Sequence, residues 1–82
     1  MGYLESATER YQDYKRRFIN ARLNMEVDVA NRTYVYLNAI HSLLSAMVDS
    51  GYDDEKAREM LDKLLGYVKD DIERAESPRV VS

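Results

Sequence analysis

The chain has 82 residues, a formal net charge of −3, 45% hydrophobic residues and 33% charged ones. That length suits one small domain, and that balance suits a folded chain rather than a disordered one. Cysteine is absent and His41 is the sole histidine, which excludes disulfides, thiolate sites and a four-ligand structural zinc.

A single core in a chain below about 80 residues rarely supplies more than about 3–5 kcal/mol. The usual remedies are disulfides, metals, oligomers or very regular helix packing. With the first two excluded, a homodimer or regular helices are expected. The start, Met1-Gly2-Tyr3-Leu4-Glu5, has neither the basic nor the apolar region of a signal peptide. No run of about 18 residues is uniformly apolar. The expectation is a cytoplasmic chain with no membrane partner.

From Tyr3 to Ser50 there is no glycine and no proline. Strands would need turn signals every 8–12 residues or so, which makes helix the economical reading. Leu4, Ala7, Tyr11, Tyr14, Phe18, Ala21 and Met25 recur at spacings of three and four, the stripe of an amphipathic helix. Ser6 followed by Glu9 predicts a capping box at its start. The stripe continues as Val29, Thr33, Tyr36, Ile40, Leu43 and Met47. A second runs through Ile19, Leu23, Ala30, Tyr34, Leu37, His41, Leu44 and Val48. Residues 27–48 are thus expected to be apolar on two faces, the buried centre of an assembly.

Residues 24–35 leave the architecture open. Asn24 can end one helix and Asp28 can cap the next, giving three helices of similar length. Alternatively, one long helix spans about 6–49 and a helix over 53–76 folds back on it. A partner chain then has to cover Tyr11, Tyr14 and Phe18. Either way the fold class is all-α, a small antiparallel helical bundle completed by dimerisation.

The end of the chain reads more simply. Gly51 suits the left-handed position after a helix, and Asp53 is expected to cap the next one. Ala57, Met60, Leu61, Leu64, Leu65, Val68, Ile72 and Ala75 form its apolar face. Glu59–Lys63, Lys69–Glu73 and Asp70–Arg74 are i,i+4 pairs for its wet side. Tyr52 is expected to staple its first turn. Gly66, costly inside a helix, predicts a close helix crossing. Ser77-Pro78 ends the helix, so the domain is 1–76 and 77–82 a tail.

Candidate chemistry is sparse. His41 has Leu37, Asn38, Leu44 and Ser45 as helical neighbours and no carboxylate, so a part-buried structural histidine is expected. Residues 49–55 are acidic but lack the calcium-loop frame, and capping explains them. Asp70, Asp71 and Glu73 lack a Glu-x-x-His partner and read as a solvated charged face. No Ser-His-Asp order, phosphate loop or redox motif is present. A non-enzyme without cofactor or metal is expected.

The bases Arg10, Lys15, Arg16, Arg17 and Arg22, with Arg32 further on, make residues 1–48 net +1, against −5 for 49–76. Helical projection spreads Lys15, Arg16 and Arg17 over about 200°, too wide for one nucleic-acid stripe. Arg16 and Arg17 are expected to point away from the apolar stripe and to tolerate charge reversal. Seven tyrosines with no tryptophan suit interfaces, since the ring is buried while the hydroxyl stays wet. The candidate partner-binding residues are therefore Tyr11, Tyr14, Arg16, Arg17, Arg22, Tyr34 and Tyr36. The expected function is a homodimeric protein–protein interaction module, an adaptor, regulator or inhibitor of an unidentified protein. Nucleic-acid binding through the basic first helix is the alternative.

Overall fold

The computed structural model describes residues 2–77 and contains three helices packed against one another, with no strand among those residues. They are α1 (Tyr3–Ala21), α2 (Val27–Asp49) and α3 (Glu55–Glu76). A 3-10 turn, Arg22–Asn24, follows α1 directly. Met25 is extended at φ −97° and ψ 146°, and Glu26 enters α2 from extended backbone. The single long helix is therefore overturned. Asn24 and Met25 break the helix although both apolar stripes pass through them in phase. Folding back lets α2 and α3 cover Tyr14 and Phe18 within one chain. No partner chain is needed for that part of the core.

The core has one face per helix. Ala7, Tyr14, Phe18 and Ala21 are buried on α1, and Thr33, Leu37, Ile40, Leu44 and Met47 on α2. On α3, Leu61, Leu65, Val68 and Ile72 have no solvent exposure. Each large side chain so buried stabilises the fold by about 1.5–3 kcal/mol relative to exposure. The second apolar stripe does not hold as a buried face. Leu37 and Leu44 are in the core, but Ile19, Leu23, Tyr34, His41 and Val48 face solvent. A helix in a three-helix core turns one arc inward, and the arc centred on Thr33, with Leu37 and Leu44 on one side and Ile40 and Met47 on the other, uses it up.

The caps differ from expectation at all three helix starts. α2 begins at Val27 with Glu26 as its cap, so Asp28, the expected cap, lies inside the first turn, and no side chain caps that helix. α1 begins at Tyr3 with Gly2 as its cap, not at Ser6, and no side chain caps it. Tyr3 and Leu4 pack on the core, and that contact extends the helix past the Ser6–Glu9 signal. For α3 the cap is Asp54, whose Oδ1 accepts the Ala57 N–H at 2.8 Å. Asp53, the expected cap, is held instead by Arg58 at 2.7 and 2.8 Å. Gly51 takes the left-handed conformation, φ +67°, as its position after α2 requires. Tyr52 stays exposed and is no staple. Ser77 closes α3 by bonding the Glu73 carbonyl through its N–H and its hydroxyl. The rest of the expected tail, 78–82, lies outside the described residues.

The expected pairs Glu59–Lys63, Lys69–Glu73 and Asp70–Arg74 do not close to ion-pair distance; Arg10 and Arg17 of α1 and Arg32 of α2 make the ion pairs that join other helices to α3. Gly66 marks no close crossing either, because a Cβ there would meet nothing within 4 Å. No helix among the described residues is long and apolar enough to cross a membrane.

Two stability measurements follow. Leu37→Ala or Leu44→Ala is expected to lose about 2–5 kcal/mol in denaturant titrations, as buried leucines do. Gly66→Ala is expected to gain about 0.5–1 kcal/mol, since a helix-interior site with free space profits from a methyl group. A loss in the second variant would restore a close crossing at Gly66.

Candidate functional site

The polar residues of the bundle are organised by arginine–carboxylate clamps. One is sunk into the α2–α3 interface. Arg32 donates from Nη2 to Asp71 Oδ1 at 2.7 Å and from Nε to Oδ2 at 3.3 Å. The Thr33 hydroxyl lies 3.0 Å from Asp71 Oδ2 and 2.8 Å from the Val29 carbonyl, and its single proton serves one of them at a time. Asp71 is 5% exposed, whereas the Arg32 side chain is 46% exposed. The hydrogen bond to Asp71, then its charge, holds the Arg32 pKa above its ordinary value. Asp71 is therefore no part of a solvated face: the sequence reading is corrected here. The next position, Ile72, is wholly buried, and Asp71 shares enough of that arc to be drawn inside.

At one end of the bundle Arg17 clamps Glu76, Nη2 to Oε1 at 2.6 Å and Nε to Oε2 at 3.1 Å. Its guanidinium also lies over the Tyr14 ring, 5.8 Å from the centroid. The hydrogen bond from Arg17 holds the Glu76 carboxyl below its ordinary range. Arg17 is thus not a free surface base, and its charge reversal would break a tie between α1 and α3. Arg16 does lie outward, bonded only to Asp13 one turn back.

At the other end the Tyr3 hydroxyl lies 2.7 Å from Asp62 Oδ1 and 3.1 Å from the Arg58 carbonyl. The Arg58 guanidinium stacks 4.6 Å from the Tyr3 ring centroid. Burial first, then the bond to Asp62, pushes the Tyr3 pKa up from 10.0 to about 12. Arg58 in turn holds Asp53 below its ordinary range by hydrogen bonding. Tyr52 is shifted upward by its bond to Asp54.

The candidate partner-binding residues do not form one patch. Tyr14 is in the core, Tyr11 lies half-buried against His41, and Tyr36 against Tyr67. The ring centroids are 5.9 and 5.4 Å apart. Arg16, Arg22 and Tyr34 remain exposed. His41 is exposed too, with Tyr11 as its neighbour, and is not the part-buried residue expected.

Sequence reasoning missed a different feature. Between Arg32 and Asp49, α2 carries no Asp, Glu, Lys or Arg at all, on its exposed face as well as its buried one. The signal was visible as a charge-free run in a chain that is one-third charged, but it reads as burial until the fold shows which half faces out.

Two hollows open near Asp71. A groove of about 720 Å³ at the end of the bundle is lined by Leu23, Met25, Val29, Arg74 and Ala75 among others. A cleft of about 230 Å³ lies beside Arg32, Tyr36, Tyr67 and Asp70. Neither is lined by a histidine. Among the described residues, no three His, Asp or Glu side chains converge to hold a metal ion. Every buried side-chain nitrogen or oxygen among them has a hydrogen-bond partner.

No protein-family model matches the chain, and comparison with curated proteins and with solved structures gave no match. The fold and its polar clamps define the chain as an all-α domain of three mutually packed helices.

Asp71→Ala is expected to lower stability by about 2–3 kcal/mol, because it strips charge-assisted bonds from the α2–α3 interface. Thr33→Val keeps the shape and is expected to cost only about 1 kcal/mol. Equal effects in thermal melts would mean that the carboxylate contributes no more than the hydroxyl. At high pH the sign follows from Tyr3. Its folded pKa lies above the unfolded one, so its contribution is complete below pH 10.0 and lost as pH rises towards about 12. Tyr3→Phe is expected to flatten the fall in melting temperature across that window, and an unchanged slope would contradict the assignment.

Proposed function

We propose that the protein is a small non-enzymatic protein–protein interaction module, acting as a homodimer of antiparallel helical bundles. One observation carries this reading: the bundle keeps large apolar side chains in solvent while its own core is filled. Val35 is 61% exposed, Tyr34 58% and Val48 58%, all within the charge-free run of α2. Scattered apolar residues are ordinary on a surface, but interfaces are where such side chains coincide with missing charge. The contacts support the antiparallel arrangement. Arg32 and Thr33, early in α2, meet Asp71, late in α3, and Tyr36 meets Tyr67. An adaptor, a regulator or an inhibitor of another protein are the roles that fit such a module.

Nucleic-acid binding loses support from the clamps. Arg17 and Arg32 are each engaged by a carboxylate, and Arg10 lies 3.9 Å from Asp62. Arg16 is paired with Asp13 as well, so within that basic cluster only Lys15 and Arg22, making no ion pair among the described residues, are left to neutralise phosphates. The wild-type chain is expected to leave DNA and RNA unshifted at micromolar concentration in about 150 mM salt. Light scattering is expected to give about twice the chain mass of 9.6 kDa. A shift that weakens steeply with salt, carried by a monomer, would reverse the choice.

A further inference from the structure

We propose that the outward face of α2, centred on Val35, Asn38 and Ser42, is the seam on which a second copy of this chain docks about a two-fold axis. The proposal rests on the homodimeric reading above and names its surface. Thr33, Leu37, Ile40, Leu44 and Met47 point into the core. At 100° per residue, Asn31, Val35, Asn38, Ser42 and Ala46 then lie on the opposite side. All five are exposed, and none is charged.

The other helices are built differently. The exposed positions of α3 include Glu55, Lys56, Glu59, Asp62, Lys63 and Lys69, and those of α1 include Glu5, Glu9, Arg10, Lys15 and Arg16. Charge depletion is the compositional mark of an interface centre. Here it marks the exposed surface of one helix, α2, from Asn31 to Ala46 on the outward side, with Asp28 and Asp49 at the two ends.

Charge also selects the occupant. In a two-fold contact each patch meets its own copy, so any charge near the axis meets its like. Residues 49–76 carry net −5, and two such surfaces repel. Between Asn31 and Ala46 the outward face of α2 carries no such penalty, its own acids, Asp28 and Asp49, lying at the two ends of the helix. Asn38 and Ser42 each offer both donor and acceptor, so each can bond its own copy. The flanks supply apolar area through Tyr34, 58% exposed, on one side and Ala39 on the other.

Size is adequate for an association that reverses on dilution. A helix of 23 residues is about 35 Å long, and a strip of that length buries on the order of 500 Å² on each partner. About 1,000 Å² in total is the lower bound for a specific interface.

The test compares Val35→Glu with Met60→Glu. Both positions are exposed, the first on the proposed seam and the second on α3. Sedimentation equilibrium over a micromolar to millimolar series, with helicity checked by circular dichroism, is read for each. The expected result is a wild-type dimer whose Kd rises at least tenfold in Val35→Glu and is unchanged in Met60→Glu. A wild-type dimer unaffected by Val35→Glu would overturn this seam while leaving the homodimer standing. Equal weakening in both variants would also overturn it, as a general charge effect. A wild-type monomer across the whole series would overturn the seam and the homodimer together.

Discussion

A carboxylate placed inside a helical core has to be paired, and that requirement fixes how α2 lies on α3. Asp71 is nearly sealed from solvent, so it needs a cation and donors at the one place α2 can supply them. Arg32 and Thr33 are adjacent in sequence and reach the same carboxylate, which sets both the register of α2 and its rotation about its axis. A slip of one residue along α2 would turn these groups away by about 100° and strand the charge. The apolar residues alone are less selective, since Leu, Ile and Met positions accept neighbours of similar volume.

The rotation so fixed has a consequence on the far side of the helix. With Arg32 turned to α3 and Leu37 to the core, Val35, Asn38 and Ser42 face water. Meanwhile Arg17 on Glu76 ties α1 to α3 at one end, and Arg58 on Asp53 ties the start of α3 to the connection before it. Exposed pairs of this kind contribute little each, and salt weakens them. They belong to surfaces that stay charged, whereas the outer face of α2 carries no charge between Asn31 and Ala46.

Much of the helix content was legible in the sequence, because the three-and-four spacing of Leu4 through Met25 and of Ala57 through Ala75 follows helix geometry directly. The turn at 24–26 was not decided there. Asn24 and Asp28 are breakers of middling strength, and only the gain from folding Phe18 and Tyr14 under α3 settles the matter. Helix starts were misplaced for a related reason: Tyr3 pairs with Asp62, far along the chain, and no local capping signal encodes that. Asp71 was hidden because a lone acid beside Asp70 looks like any wet helix face. The candidate surface was legible only in part. Tyr34 is exposed as expected of an interface residue, whereas Tyr14 and Arg17 serve the fold itself.

The absence of cysteine makes one direct measurement of the α2 seam straightforward. A nitroxide on Ser42→Cys, in a chain carrying no isotope label, is mixed with an isotope-labelled wild-type chain. Intermolecular paramagnetic relaxation is then read at every amide. The seam predicts strong broadening at Val35 to Ala46 of the labelled chain and little at the outer faces of α1 and α3. Broadening centred on α1 or α3, or none at millimolar concentration, would contradict it.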